Sequence, residues 1–392
     1  LPVTWYCAAG TAATAMTNMV YLSNPTTEVV SAHITGYTST GALPPVDVQV
    51  APGGPQPFDV ATLGDATASV VVESPEPQLA VDHQLSAADY GDRDACRRST
   101  SDAWYFPALS TTRDAGAILT LFNPFPGDAG VDIEIGLDTG TRTPTSVTGV
   151  VVPAGTTKTI DLGGQGIAER RDQFSAAVHS RSGRVIAEVA QSFDGSLGPK
   201  GLQLSFGVPA PQRSWAFAGG FTGTGAAEHV VVQNPGDQRA SVLIQVTPYG
   251  ASTSPPEPID VTVEARRYAV VDLSAETRIP GVGYHSIQLE SDQPVVVART
   301  TILSGPPDAA QDPAVAVRPA LSRGVAISTG SPVAARAWTA PIAPTVRVWA
   351  GTRERAPAGC RSGSRPRGCP GTCTGRWRGR RLGRLEHGQL HR

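Results

Sequence analysis

Hydrophobic and polar residues alternate one by one along several stretches of this chain. The clearest stretch covers residues 131–137, where Val131, Ile133 and Ile135 are separated by single acidic or small residues. A period of two is that of a β-strand with one buried face. The stretches 29–37 and 241–249 have the same strand character, and a glycine follows each of the three. The pattern therefore predicts three equivalent strands.

Further short strands follow each of these. One lies at 48–50, 150–152 and 261–263, and the next surrounds an aspartate at a fixed place, which is Asp59, Asp161 or Asp272. Each set closes with a predicted hairpin: 68–73 with 79–85, 174–179 with 185–193, and 285–290 with 295–303. Helix is predicted only as a turn or two at 162–172 and 273–278. This density, roughly seven short strands per hundred residues, is typical of an antiparallel β-sandwich.

One short signature occurs three times with the same internal spacing. It is a tryptophan followed nineteen residues later by Asn-Pro: Trp5 with Asn24 and Pro25, Trp104 with Asn123 and Pro124, and Trp215 with Asn234 and Pro235. The outer period is 99 and then 111 residues, which indicates tandem copies of one domain.

We therefore predict an all-β chain of three tandem immunoglobulin- or fibronectin-like antiparallel β-sandwich repeats. They cover residues 1–100, 101–210 and 211–330, and residues 331–392 are an aborted fourth repeat with a disordered Arg/Gly/Pro-rich tail. The likeness to immunoglobulin domains is one of architecture, because the Cys–Trp–Cys arrangement of antibody domains is missing.

The repeated residues are predicted to be structural. A tryptophan at the start of a strand is most simply explained by core packing. Asn-Pro ends a strand, because proline cannot donate to the ladder and asparagine can bond back to its own backbone. The repeated aspartates are expected to face solvent or to cap the following turn.

Charge is distributed unevenly along the 392 residues. Residues 341–392 contain twelve Arg, no Lys and two Glu, a balance of +10, so the rest holds 32 − 12 = 20 basic and 34 − 2 = 32 acidic groups, a balance of −12. An acidic array without a basic stripe makes nucleic acid an unsuitable partner for the repeats. No apolar run is long enough for a transmembrane segment. Because the chain starts at Leu1 without a Met or signal peptide, we expect a processed product or a fragment.

Only two cysteines, Cys7 and Cys96, lie outside the tail. In an acidic, Lys-poor β protein, such a pair predicts one disulfide and an oxidising compartment, while two unrelated buried thiols are the alternative. A disulfide closing a loop of this length contributes up to about 4–5 kcal/mol in the chain-entropy model.

The repeat openings resemble those of a family of secreted or envelope-associated actinobacterial proteins of unknown function. The residues that carry the likeness are Trp5-Tyr6-Cys7, Trp104-Tyr105-Phe106 and the degenerate Trp215-Ala216-Phe217, with Leu121-Phe122-Asn123-Pro124 and Val152-Pro153-Ala154-Gly155 as later marks. The resemblance covers residues 1–330. It implies export, β-sandwich modules and no cofactor.

A fourth copy begins at Trp338 and does not continue. No Asn-Pro occurs downstream, and the composition changes to Arg, Gly and Pro, which cannot bury a core. A shifted reading frame in GC-rich DNA is our preferred explanation. The alternative is a zinc site, because Cys369, Cys373, His387 and His391 come close to the spacing of a two-Cys, two-His finger. The glycines at 375, 379 and 383 oppose the helix that such a finger needs.

Motifs for catalysis are missing from the repeats. There is no Gly-x-Ser-x-Gly elbow, no His-Glu-x-x-His and no phosphate-binding loop. The five histidines of the array are scattered singly (His33, His83, His179, His229 and His285), and we expect them to lie on the surface or in a satisfied core. The aspartates at 89, 92 and 94 are predicted to form a solvated linker, because no closing glutamate completes a calcium loop.

We therefore predict a non-enzymatic exported cell-envelope protein that acts as a structural or adhesive scaffold, without catalytic, cofactor-binding or metal residues. The alternative is a glycan- or cell-wall-binding module array. The expected partner is an unknown envelope protein or a cell-wall glycan, and the expected location is extracellular or associated with the envelope.

Overall fold

A computed structural model describes residues 2–8, 16–88, 90–196, 200–223, 225–249, 255–279, 283–303, 324–329 and 331–332. Over these residues the chain is almost entirely antiparallel β-structure, which confirms the predicted fold class. The strands are numbered in chain order and described in three groups, called sandwich 1, sandwich 2 and sandwich 3.

Sandwich 1 contains nine strands: β1 (Val3–Cys7), β2 (Thr17–Asn24), β3 (Val30–Thr38), β4 (Gly41–Ala42), β5 (Val46–Val50), β6 (Gly53–Asp59), β7 (Ser69–Ser74), β8 (Ala80–Ser86) and β9 (Gly91–Ala95). One sheet has the order β1-β7-β3-β4, with β5 also paired to β3. The other has the order β6-β2-β8-β9.

Sandwich 2 repeats this arrangement with β10 (Ala103–Leu109), β11 (Ala115–Asn123), β12 (Ala129–Leu137), β13 (Gly140–Arg142), β14 (Val150–Val152), β15 (Thr156–Asp161), β16 (Phe174–Ser182), β17 (Ile186–Phe193) and β18 (Gly201–Phe206). Its sheets have the orders β10-β16-β12-β13, with β14 paired to β12, and β15-β11-β17-β18.

Sandwich 3 contains β19 (Gln212–Thr222), β20 (Ala226–Asn234), β21 (Ala240–Pro248), β22 (Ile259–Val263), β23 (Arg267–Asp272), β24 (Gly283–Leu303), β25 (Gly324–Thr329) and β26 (Ser331–Pro332). The first half of β24 pairs with β19 and β21, and its second half pairs with β20 and β25. The two layers of this group therefore share one long strand.

The prediction that each repeat closes with a hairpin is wrong. In sandwich 1, β7 lies between β1 and β3, whereas β8 lies between β2 and β9 in the other sheet. The strands β16 and β17 of sandwich 2 are separated in the same way. Because both edges of β7 are occupied by strands from earlier in the chain, β8 has no free edge there to pair with. The connecting turn carries the chain from one layer to the other.

The predicted helical turns at 162–172 and 273–278 are also not formed, and these residues make turns instead. Glycines at 163, 164 and 166 give the first segment other low-energy conformations, and single helical turns are marginal without tertiary support. Among the described residues, two short 3-10 helices occur elsewhere, at Val60–Leu63 and Thr145–Val147.

Each group of strands encloses its own apolar cluster. The clusters are built from inward-facing residues of both sheets, including Leu22 and Val72 in sandwich 1, Leu119 and Val178 in sandwich 2, and Val232 and Leu289 in sandwich 3. Burying one such side chain contributes about 1.5–3 kcal/mol, so these clusters are the main source of stability in each layer pair.

Within the described ranges, no helix is long and apolar enough to span a membrane. The fourth opening at Trp338, the proposed frameshift, the predicted disorder of the tail and the zinc ligand set Cys369, Cys373, His387 and His391 all lie outside the described residues.

Candidate functional site

The three signature tryptophans make the same hydrogen bond. The indole N–H of Trp5 donates to Leu79 O at 3.0 Å, that of Trp104 to Val185 O at 2.8 Å, and that of Trp215 to Val295 O at 3.0 Å. The first two bonds join the first strand of one sheet to the residue just before β8 or β17 of the other sheet, and the third reaches Val295 in the middle of β24. Trp104 and Trp215 are fully buried, whereas Trp5 is half-buried with the Arg98 guanidinium 5.3 Å from its ring.

The three signature asparagines form the same set of bonds at a strand end. The Asn24 side-chain amide donates to Glu28 O at 2.7 Å and to Val50 O at 3.0 Å, and its Oδ1 accepts from Thr26 N at 3.0 Å. Equivalent donations run to the residue four positions on and to the end of a neighbouring strand, at 2.8 and 3.0 Å for Asn123 and at 2.7 and 3.0 Å for Asn234. All three asparagines are buried, so each ties three backbone segments together.

The prolines at 25, 124 and 235 follow these asparagines directly, where the ladder needs no further donor. The repeated aspartates cap the next turn, because Asp59, Asp161 and Asp272 each accept a backbone N–H two residues on, at 2.9 Å in every case. The repeated polar residues thus have local backbone partners in all three sandwiches.

The predicted disulfide between Cys7 and Cys96 is present, with the two Cα atoms 4.8 Å apart. Both cysteines are buried in the core of sandwich 1. We call positions equivalent when their spacing from the signature and their strand register agree. The positions equivalent to this pair in sandwich 2 are Phe106 and Gly207, so an aromatic ring packed on a glycine takes the place of the covalent bond.

Gly207→Ala is expected to destabilise the chain by about 1–3 kcal/mol, because an added methyl overpacks this site. A Cβ at 207 would lie 2.7 Å from the Cβ of Trp104 and 2.9 Å from the Phe106 ring. The control is Gly127→Ala, where a Cβ would meet nothing within 4 Å. Urea denaturation of both variants measures the difference. A midpoint unchanged by Gly207→Ala would contradict this account of the site.

The junction between sandwich 1 and sandwich 2 is apolar. Val71 of β7 is buried against Phe122, Ile186 and Phe206, and the ring of Phe122 lies 5.1 Å from that of Tyr37. Burial raises the pKa of Tyr37 above its ordinary value, and the charge of Glu73 adds to the effect. Fewer apolar residues are buried together at the junction between sandwich 2 and sandwich 3, where Ala108 packs on Val231 and Ala298.

Carboxylates lie inside the first junction. Asp92 and Asp94 are on β9, where they face the edge strand β18, and Asp92 Oδ2 accepts the Leu204 N–H at 2.8 Å. Burial raises the pKa of Asp92 to about 7 and also raises that of Asp94, which Arg97 partly opposes. The fully buried Glu188 adds its charge to both. The prediction of a solvated linker is therefore wrong for these two aspartates, because β9 docks them against sandwich 2; Asp89 lies outside the described residues.

The free energy of unfolding is expected to fall as the pH rises from about 4 to about 7. In this window the native Asp92 keeps its proton whereas an unfolded aspartate ionises near 3.8, so the native state binds more protons, with a slope of up to about 1.4 kcal/mol per pH unit for each such group. Asp92→Asn stays neutral and still accepts from Leu204, so it should remove this share of the slope.

The matched control for that measurement is Asp194→Asn. Asp194 is exposed, and the backbone N–H of Ser196 lowers its pKa, so its titration contributes only below the window. Urea unfolding at a series of pH values checks both variants. A slope unaffected by Asp92→Asn would show that Asp92 is ionised in the junction.

A groove of about 510 Å³ opens beside the same junction. Hydroxyl groups dominate its lining, with Lys158 as the one charged side chain, and the hydroxyl residues are Thr38, Ser39, Thr67, Thr156, Thr157 and Thr159. Three of the hydroxyls already donate to backbone oxygens: Thr38 to Gly41 O and Thr157 to Tyr37 O, both at 3.1 Å, and Thr156 to Pro153 O at 2.8 Å. The groove offers hydrogen bonds without an aromatic platform.

Sandwich 3 holds a buried charged cluster at one end of its core. Glu228 Oε2 lies 2.8 Å from His285 Nε2, and Glu228 Oε1 lies 3.4 Å from Arg299 Nε. Burial lowers the pKa of Arg299, and the charge of Glu228 opposes this effect. The cluster fits against Gly220, where a Cβ would lie 2.5 Å from both Glu228 and His285.

Sequence reasoning did not find this cluster, because its members are far apart in the chain and each was considered alone. Strand register supplies the missing signal. The positions equivalent to Glu228 and Arg299 are Asn18 and His83 in sandwich 1, where His83 Nε2 lies 2.7 Å from Asn18 Oδ1. In the described part of the chain, no group of three or more His, Cys, Asp or Glu could hold a metal ion.

Comparison with known proteins places the chain in a family. No curated protein matches it. Among solved structures, the crystal structure of Thermotoga maritima 1070 is similar at 19% identity and a TM-score of 0.25, covering 31% of this chain and 96% of that chain. The Anabaena sensory rhodopsin transducer is similar at 27% identity and a TM-score of 0.21, covering 23% of this chain and 87% of that chain. A family model described as a family of unknown function, DUF5719, matches residues 94–354, which is more than half of the chain, and the chain therefore belongs to the DUF5719 family.

Proposed function

We propose that this chain is a non-enzymatic, exported scaffold of the cell envelope, built from copies of one β-sandwich module that pack directly on one another. The single observation that carries the proposal is the buried junction between sandwich 1 and sandwich 2, where Val71, Phe122 and Phe206 exclude water. Flexibly tethered binding modules do not need such a junction, since domains joined by linkers move independently unless their interface is large and apolar.

The disulfide supports the exported location. Cys7 and Cys96 are both buried, and structural disulfides of this kind persist in oxidising compartments. The bond joins the first strand of sandwich 1 to the segment that leads into sandwich 2. It therefore fixes the chain at the point where one module passes to the next.

The absence of enzymatic activity is proposed from the partners of the repeated residues. Each signature tryptophan, asparagine and aspartate is bonded to backbone within its own sandwich, so these residues hold strands together. A catalytic group needs a nucleophile or base with access to a substrate, whereas Glu228, His285 and Arg299 are buried in mutual contact.

Cell fractionation combined with thiol alkylation tests the proposal. The full chain, produced in its native host, is expected outside the cytoplasmic membrane, with Cys7 and Cys96 resistant to alkylation in the denatured chain until a reductant is added. Single replacement of either cysteine should leave the other open to alkylation in the denatured chain without a reductant, and it serves as the control. Recovery in the cytoplasm with both thiols reactive would contradict the exported location.

A second candidate function is glycan binding at the hydroxyl-lined groove, favoured by its six Ser and Thr residues and Lys158. The test is co-sedimentation with purified cell-wall polysaccharide. The variant Lys158→Ala with Thr159→Ala should lose binding, because both side chains are exposed in the groove. Thr262→Ala, on an exposed strand position of sandwich 3, is the control. Binding unchanged in the groove variant would rule out this site.

A further inference from the structure

The chain leaves each sandwich by the same route. In sandwich 1 the opening strand forms a bridge between Tyr6 and Arg97, and in sandwich 2 the equivalent bridge joins Tyr105 and Val208. The next signature tryptophan follows seven residues after the bridge in both cases, at Trp104 and Trp215. This bridge and spacing place the following module beside the sheet that the chain has just left.

Sandwich 3 forms the same bridge. Ala216, which is equivalent to Tyr6 and Tyr105, pairs with Ser331. Seven residues after Ser331 the sequence has Trp338, the fourth opening tryptophan. The chain therefore leaves the third sandwich by the same bridge and with the same spacing to the next tryptophan as in the first two.

The sheet that receives the next module has one central position that is apolar in both existing junctions. Val71 of sandwich 1 and Ala177 of sandwich 2 occupy this position, and both are buried. The equivalent residue of sandwich 3 is Gln288, which is exposed, and Leu243 on the adjacent strand β21 is 42% exposed. At these two positions the outer face of the sheet is open to solvent.

The incoming module contributes an equivalent hydroxyl donor at both junctions. Thr157 on β15 donates to Tyr37 O of the preceding sandwich at 3.1 Å, and the equivalent residue, Tyr268 on β23, donates to Gln173 O at 2.9 Å. The donors are therefore equivalent in the two junctions, whereas the acceptors lie on neighbouring strands of the receiving sheet, Tyr37 near the end of β3 and Gln173 just before β16.

We propose that the outer face of the sheet β22-β21-β24-β19 is a docking surface for a further sandwich of this same repeat, which enters at the position of Trp338. The inference rests on the proposed modular scaffold and identifies the module that would follow sandwich 3. Continuity with the two existing junctions identifies the occupant, because the bridge and the seven-residue spacing recur in sandwich 3, where the equivalent central position is exposed.

A second copy of the chain fits this face poorly. The surface that would have to dock is the β6-β2-β8-β9 sheet of sandwich 1, where Pro55 and Pro57 occupy the edge strand that carries Thr157 in sandwich 2. On that sheet Arg93 is held by Asp82 at 2.6 Å and stacks 3.9 Å from the Tyr21 ring. Docking would remove water from Arg93 and Asp82, and no hydroxyl donor like that of Thr157 would be present to form the hydrogen bond seen at the existing junctions.

The test extends the chain by two of its own modules, joining residues 104–337 directly after residue 337. This preserves the seven-residue spacing, and the added part brings its own junction between sandwich 2 and sandwich 3, so it does not need the new junction in order to fold. A single cysteine is introduced in the original sandwich 3 as Gln288→Cys, and its alkylation rate is followed by peptide mass spectrometry in the full chain and in the extended chain.

Docking is expected to slow alkylation of the residue at position 288 by at least about tenfold in the extended chain, because the position becomes buried as at Val71 and Ala177. Val270→Cys, on the opposite sheet and 46% exposed, is the matched control and should react equally in both chains. Equal rates for Gln288→Cys in the two chains would overturn the docking surface. The exported location is tested separately by fractionation, so a failed docking prediction would not contradict the exported location, and the reverse also holds.

Discussion

Replacement of Trp104 by alanine is expected to lower the free energy of unfolding of sandwich 2 by about 3–5 kcal/mol, as for other large truncations in a core. The ring is 2% exposed, and its loss leaves both a cavity and Val185 O without its donor. The loss should appear first in β10 and β17, the strands that the indole joins. Urea denaturation gives the magnitude, and hydrogen exchange of the amides in these strands gives the place.

Trp5→Ala is the matched control for this prediction. It removes the same hydrogen bond, to Leu79 O, from the equivalent place in sandwich 1, but the Trp5 ring is only half-buried. A smaller destabilisation is therefore expected, because less apolar area returns to water. Equal losses for the two variants would show that the hydrogen bond, rather than burial of the ring, sets the contribution of the signature tryptophan.

The local structure of each module could be predicted because short-range rules determine it. Asn24 ends its strand by bonding to residues two and four positions away, and Asp59 caps a turn two residues on. Such bonds depend on residue type and spacing, both of which the sequence displays. The period-two alternation of β12 similarly requires one buried face, and the structure buries Val131, Ile133 and Ile135.

Strand partners and junctions could not be predicted, because they depend on which edges are free once the chain has folded. The predicted closing hairpin failed for this reason, since β7 is already flanked by β1 and β3. The prediction that Asp92 is exposed to solvent failed for a related reason. Its neighbours in sequence are polar, but its environment is set by Leu204, more than a hundred residues away. No local pattern reports such a contact.

The buried cluster of sandwich 3 has an apolar counterpart in sandwich 2. The positions equivalent to Gly220, Glu228, His285 and Arg299 are Leu109, Ala117, Phe174 and Val189, which all belong to one core cluster. The same backbone therefore accepts either an ion-paired set or a hydrophobic set at this end of the core. Charge is not needed there for the fold, and this makes the cluster testable with residues that the chain itself provides.

Arg299→Val alone is expected to destabilise sandwich 3 by about 3–5 kcal/mol, because it leaves the buried Glu228 carboxylate with His285 as its remaining partner. Transfer of the whole apolar set, as Gly220→Leu, Glu228→Ala, His285→Phe and Arg299→Val, is expected to restore or exceed the native stability, since replacing a buried ionic group by packed hydrophobic residues is often neutral or favourable. Gly220→Leu alone is the control and should destabilise, because its side chain meets Glu228 and His285. Urea midpoints of the three variants decide the matter: a fourfold variant as unstable as Arg299→Val would mean that the ionic set stabilises this core in a way that the apolar set cannot.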